Sequence, residues 1–214
     1  MDMKAQVNLV RLCGTPAGPP QFSHSSRGQD FYAFPLRVER LSGAFDTLNI
    51  LVRRSQLGEL ALSERLLVEG QLRSFNNRSG TGARLVITVL GRELRCAQEP
   101  DSNLVSLYGT LCKPPNLRCT PMGRDICDLM LAVNRRCGRS DYLPCICWGR
   151  SAREAACWQV GDRIRLSGRL QSRRYIKLTE EGPVEKTAFE VSAAEIERDA
   201  GYGGEPEPSE LFSD

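Results

Sequence analysis

Charged and apolar residues alternate through Arg163-Ile164-Arg165-Leu166 and on to Ser172, the period of a strand with one buried face. Segments of similar length recur along the chain, set apart by turn signals rich in Gly, Pro and Ser, which is how an all-β protein reads. Leu104 to Gly109 predicts a strand and Ile126 to Asn134 another. Cys137-Gly138-Arg139-Ser140 turns the chain into a third strand, Tyr142 to Trp148. Ser151-Ala152-Arg153-Glu154 has capping-box form and predicts a short helix to Trp158, ended by Val160-Gly161-Asp162. Arg163 to Ser172 is the fourth strand, and Ala188 to Val191 the last, beyond a polar hairpin tip at Glu180-Glu181-Gly182-Pro183.

The pattern occurs twice. Asn8-Leu9-Val10-Arg11-Leu12-Cys13-Gly14-Thr15 returns as Asn103-Leu104-Val105-Ser106-Leu107-Tyr108-Gly109-Thr110, a lag of 95. The same lag carries Pro19-Pro20 onto Pro114-Pro115, Asp30 onto Asp125, and Leu36, Val38 and Arg40 onto Leu131, Val133 and Arg135. After a slip of three residues, Gly70, Leu72 and Ser74 match Gly168, Leu170 and Ser172. A repeat this long is a whole small domain, since solenoid units run about 20–50 residues. The chain therefore divides into a first copy at 1–98, a second at 103–197 and a tail at 198–214, the copies joining near Glu99-Pro100-Asp101-Ser102. Five strands with one helix between the third and fourth is the OB-fold arrangement, a partly open Greek-key barrel. Other small barrels share the strand count, and the helix position favours two tandem OB-folds.

Charge changes the picture more than composition does. The 214 residues are 41% hydrophobic, enough for packed cores, and the net charge of +3 looks almost neutral. That average hides opposites. Residues 103–178 carry 14 Lys and Arg against 5 Asp and Glu, a net of +9, whereas residues 179–214 carry 2 against 11, a net of −9. A basic block of that density suits a phosphate backbone. The nine cysteines include no C-x-x-C pair, which argues for free thiols rather than zinc, and Met1 to Gln6 lacks the apolar core of an export signal. Both features predict a cytoplasmic protein without cofactor or metal. His24, the lone histidine, falls in a Ser-rich stretch read as a loop, and no nucleophile–base or phosphate-loop motif is present, so no enzyme is predicted.

The segments Asn103-Leu104-Val105-Ser106-Leu107-Tyr108-Gly109, Leu131-Ala132-Val133-Asn134-Arg135 and Asp141-Tyr142-Leu143-Pro144-Cys145-Ile146-Cys147-Trp148-Gly149 follow one another at characteristic spacings. Val160-Gly161-Asp162, Leu166-Ser167-Gly168-Arg169-Leu170-Gln171-Ser172 and Thr187-Ala188-Phe189-Glu190-Val191 complete the series. In order and spacing this second copy resembles the bacterial single-stranded DNA-binding protein family, which includes double-OB chains. The resemblance implies base stacking on Tyr142 and Trp148 in the third strand and on Tyr175 in the last hairpin. Cys137 stands where the family often has a further aromatic. In the first copy Thr47 and Arg53 take the places of Tyr142 and Trp148, with Phe45 and Phe75 nearby as substitutes, so weaker binding or a packing role is expected there. The family's acidic tails recruit replication and repair proteins through a terminal aromatic. Leu211 and Phe212 match that pattern in part, because Ser213 and Asp214 follow. Four OB-folds per assembly is usual in the family, which implies a homodimer, with a pseudo-dimeric monomer as the alternative.

Strand parity supports the same residues. Tyr142 and Trp148 point one way and Cys145 and Cys147 the other; small inert thiols suit the core, leaving flat rings to the surface. Arg135, Arg136 and Arg139 precede Tyr142, Arg150 follows Trp148, and Arg173, Arg174 and Lys177 surround Tyr175. The first copy has a thinner set in Arg37, Arg40, Arg53, Arg54, Arg73 and Arg78. Three readings compete: a sequence-tolerant single-stranded DNA binder in replication, recombination or repair; an RNA-binding or primosome-type OB protein; and an assembly module whose arginines meet acidic partners.

Overall fold

The computed structural model describes residues 8–60, 64–77, 85–135, 137–179 and 182–199. Strict alternation of side chains builds its strands: β4 (Phe45–Arg53) buries Asp46, Leu48, Ile50 and Val52 and turns Phe45, Thr47, Asn49 and Arg53 outward. The first half continues this pattern in β1 (Asn8–Pro16), β2 (Gln21–Ser26), β3 (Gln29–Glu39), β5 (Leu66–Asn76) and β6 (Leu85–Cys96). A 3-10 turn at Arg54–Gln56 and a single helical turn, α1 (Leu57–Leu60), separate β4 from β5. The second half repeats the order as β7 (Ser102–Leu111), β8 (Asn116–Cys119), β9 (Asp125–Asn134), β10 (Ser140–Trp148), α2 (Gly149–Ala155), β11 (Arg163–Thr179) and β12 (Gly182–Arg198). Among the described residues no helix is long and apolar enough to cross a membrane.

The strands follow one another as β2-β3-β4-β6-β5-β1-β7-β11-β12-β10-β9-β8, an order that reads the same from either end once the repeat is applied. Pairing of β1 with β3 and of β7 with β9 curls each half into a barrel. Leu12, Leu36, Leu48, Ile50 and Leu72 fill the first, and Leu107, Leu131, Leu143, Cys145 and Leu170 the second. The halves join where β1 and β7 run antiparallel from Asn8↔Leu107 to Cys13↔Ser102, with Val10 opposite Val105. Val10 and Val105 are repeat equivalents, so the register is symmetric about them and the duplication becomes a pseudo-two-fold axis. Gly70 and Gly168 sit at matching bulges, where an added Cβ would stand 2.2 Å from the carbonyl oxygens of Leu90 and Ser192 respectively. Only glycine allows that approach.

The architecture is the expected all-β OB type, with three differences in detail. Each half has six strands rather than five, because the polar segments Gln21–Ser26 and Asn116–Cys119 pair onto β3 and β9 without any apolar alternation to announce them. The hairpin of β11 and β12 is far longer than expected, 17 residues on each side, since its outer part alternates among charged and polar residues. Helix α2 runs Gly149–Ala155 with Trp148 as N-cap, three residues ahead of Ser151, and ends three residues before Trp158; no side chain caps it, and Gly149, at φ 58°, makes the turn out of β10.

Candidate nucleic-acid interface

Strand β10 delivers two rings to the surface. Tyr142 and Trp148 are 51% and 41% exposed, while Cys145 and Cys147 lie on the opposite face in the core. The Trp148 indole Nε1 donates to Ser192 Oγ at 3.3 Å, which ties the ring to β12. Burial, with Cys127 and Asp128 as further causes, pushes the Cys147 thiol up to about 12, and burial raises Cys145 as well. Such thiols stay protonated and inert. Tyr175 lies on the outer part of β11 with the Arg173 guanidinium 5.6 Å from its ring centre. Arg173 also reaches Glu190 at 3.5 Å.

The first half contributes at the seam. Phe45 and Phe75 are each 52% exposed, and Arg37 lies 4.2 Å over the Phe45 ring. Two fully buried carboxylates, Asp46 and Asp141, hold the halves together there. Asp46 accepts from its own half's Arg40 (Nε, 2.7 Å) and, across the seam, from the Ser172 N–H (2.8 Å) and hydroxyl (2.9 Å). Asp141 accepts from Arg135 (Nε, 2.8 Å) and, across the seam, from the Ser74 N–H at 2.7 Å and Arg73 at 3.0 Å. Ser74 Oγ in turn accepts the Tyr142 N–H at 2.7 Å, so the strand bearing Phe75 fixes the strand bearing Tyr142. Ser172, held by Asp46 beside Phe45, opens the run to Arg173, Arg174 and Tyr175. The seam therefore sets the strands bearing Phe75 and Phe45 against those bearing Tyr142 and Tyr175.

Burial pulls the Asp46 carboxyl upward, but the hydrogen bonds from Arg40 and Ser172 outweigh it and leave the group below the ordinary carboxylate range.

The expected cations divide into two sets. Arg135 and Arg73, read from the sequence as groove residues, are instead bound to Asp141, and Arg40 is bound to Asp46; their side chains are only 20–25% exposed. A buried carboxylate needs its counter-charge, and that requirement takes these three arginines out of the free set. Arg150, Arg173 and Arg174 pair with Glu154, Glu190 and Glu185, and their guanidiniums stay half-exposed or more. The Arg150–Glu154 and Arg174–Glu185 pairs are exposed on both sides; pairs of this kind are worth about 0–1 kcal/mol, so a phosphate can replace the carboxylate. Glu190, by contrast, is only 7% exposed and holds Arg173 from one side. Arg53 and Arg139 are exposed and have no ion pair among the described residues. Lys177 lies on β11 with its side chain outside the described residues, as are Arg78, Arg136, Leu211 and Phe212.

Sequence reasoning missed the two aspartates, although they repeat at the same lag of 95 as the strands around them. It also misplaced His24, which lies on β2 rather than in a loop, stacked on Phe31 with ring centres 5.0 Å apart.

Curled sheets of this topology, with exposed rings on β10 and arginines at Arg139, Arg150, Arg173 and Arg174 around them, define an OB-type binding protein. The Single-strand binding protein family model matches residues 102–199. Single-stranded DNA-binding protein B of Bacillus subtilis is 34% identical over 119 residues, covering 52% of this chain and 98% of that protein. Single-stranded DNA-binding protein A of the same organism is 39% identical over 80 residues, 34% of this chain and 46% of its own length. The crystal structure of wild-type single-stranded DNA binding protein from Thermus aquaticus has the same fold over nearly the whole length. Its TM-score is 0.71 at 24% identity, covering 90% of this chain and 93% of that one. The chain belongs to the single-strand binding protein family.

Proposed function

We propose that this protein binds single-stranded DNA without sequence preference and protects it during replication, recombination or repair. The observation that carries the reading is the pair of exposed rings, Tyr142 and Trp148, presented on the face of β10 opposite its core cysteines. Every base has a π-face, so stacking on them is indifferent to sequence, and each stacked base contributes about 1–3 kcal/mol. Arg139, Arg150, Arg173, Arg174 and Lys177 track the backbone around these rings, and Arg53, Phe45 and Phe75 extend the surface into the first half. Residues 1–98 and 103–197 act as the two binding units, and residues 198–214 serve as a tail that recruits partner proteins through Leu211 and Phe212. The protein works in the cytoplasm on the nucleoid, as a homodimer that brings four OB-folds together. No catalytic step and no cofactor enter the reading.

Titration with oligo-dT tests it. Tryptophan fluorescence is expected to quench, and with about six cations on phosphates log K should fall with log salt at a slope of about −4. Competition with poly-U should favour dT. Unchanged fluorescence together with no gel shift at low salt overturns the proposal, and a preference for poly-U moves it to RNA.

A further inference from the structure

The hairpin of β2 and β3 turns on Arg27 and Gly28, both at positive φ (49° and 73°), which is the signature of a tight two-residue turn. Above the turn the register slips between Phe22 and His24. Phe22 stands opposite Tyr32, which packs against the core, and Tyr32 stands opposite Val52, which is buried. Without the slip His24 would share that inward side with Phe22, two positions away. The bulge sends it to the other face, opposite Phe31, where the two rings lie 5.0 Å apart and within 10° of parallel. Phe31 is opposite Arg53 on β4. The result is a row of three side chains, His24, Phe31 and Arg53, across the outer face of β2, β3 and β4.

The second half has the corresponding row in Arg118, Ile126 and Trp148. There the ring is on the inner strand and the guanidinium on the outer one; the first half reverses the order and keeps both kinds of group. Arg118 is bound by both oxygens of Asp128, at 2.6 and 2.9 Å. At the repeat position of Asp128 the first half has Ala33, and Arg53 has no carboxylate partner among the described residues. The nearby Asp30 is held by Ser25 and Arg54 and, by strand alternation, sits on the other face from Phe31. The first half is therefore not blank where it lacks a tryptophan. It has a stacked ring pair beside an uncompensated guanidinium, and the Arg37–Phe45 pair about 26 Å further along the same face of β4.

We propose that His24 and Phe31, with Arg53, form a base-stacking platform of the first half, taking one nucleotide of a single strand whose phosphate meets Arg53. The proposal rests on single-stranded DNA binding as the function of the whole surface. It adds a third ring site to Phe45 and Phe75 in the first copy, for which the sequence suggested weaker binding or a packing role.

The full-length chain is titrated with a short dT oligomer of about 10 nucleotides, within the span of one OB-fold, and a long one of about 35 that reaches both halves. The double variant His24→Ser, Phe31→Leu is expected to bind the long oligomer about tenfold more weakly than the unaltered chain, which matches the loss of one stacked base. The short oligomer, seated at Trp148, should bind as before. His24→Phe keeps a ring at the position and should keep the affinity for the long oligomer. A dT oligomer carrying 5-iododeoxyuridine should crosslink to His24 or Phe31 in the unaltered chain, a readout that needs no variant to fold. Equal affinity of the double variant for the long oligomer, or crosslinks confined to the second half, overturns the platform. If the unaltered chain binds no dT at all, the functional reading itself falls; if it binds short dT and Trp148→Ala weakens that binding while the double variant leaves the long oligomer unchanged, only the platform falls.

Discussion

Removing the Asp141 carboxylate by Asp141→Ala tests whether the seam between the halves is held as the geometry indicates. The group is fully buried and accepts from Arg135, from Arg73 at 3.0 Å and from the Ser74 N–H at 2.7 Å. Truncation leaves the Ser74 N–H without its acceptor and two guanidiniums without a counter-charge. Breaking a buried pair from one side costs about 3–5 kcal/mol. Here the guanidiniums are 20% and 25% exposed and can recover some hydration, which places the cost at the lower end, about 3 kcal/mol. For a chain of this size that is a fall in Tm of about 6–12 °C. Asp46→Ala strands a single guanidinium, Arg40, and should cost slightly less. Glu154→Ala supplies the control, since its partner Arg150 is 88% exposed and the pair is worth under about 1 kcal/mol. Calorimetry of the three variants gives the ranking. Asp141→Ala should also weaken dT binding, because Asp141 holds Ser74 and Tyr142 takes its position from Ser74. A Tm within about 2 °C of the unaltered protein for both aspartate variants refutes the reasoning, as it would mean the halves are held by β1 and β7 alone.

The remaining predictions concern titration, stacking and thiols. Because Asp46 is held below its unfolded pKa, its contribution to stability is complete above about pH 4 and is lost as pH falls through the lower folded value. Asp46→Asn should therefore be less stable than the unaltered protein at neutral pH, with the gap closing in thermal melts toward pH 2.5; a gap that widens in acid contradicts the assignment. Trp148→Ala should weaken binding of short dT about 5- to 100-fold in a fluorescence-independent titration. Thiol titration of the native protein should label Cys96, Cys119, Cys137 and Cys157 readily, and Cys13, Cys127, Cys145 and Cys147 only after denaturation. Prompt labelling of Cys145 or Cys147 would place β10 the other way round.

Much of the candidate interface could be read from local periodicity. Parity along Tyr142 to Trp148 separated rings from thiols correctly, because a strand offers two faces and only one can be core. The arginines were less legible. A guanidinium's partner depends on what lies beside it after folding, and nothing local in Arg73 or Arg135 tells that both meet one buried carboxylate. The strands β2 and β8 escaped notice for a related reason: their residues pair through backbone groups, which carry no sequence label, and bury little.

By itself, the sequence determined the duplication, the all-β class and the outward rings of β10, since each depends on repetition or on alternation between neighbours in the chain. Tertiary structure alone decided that the two copies meet with Val10 opposite Val105, that Asp46 and Asp141 reach across the seam, and that a bulge lays His24 on Phe31. Those are contacts between residues separated by one strand register or by half the chain. Their geometry follows from closing two curved sheets against each other, which no local pattern encodes.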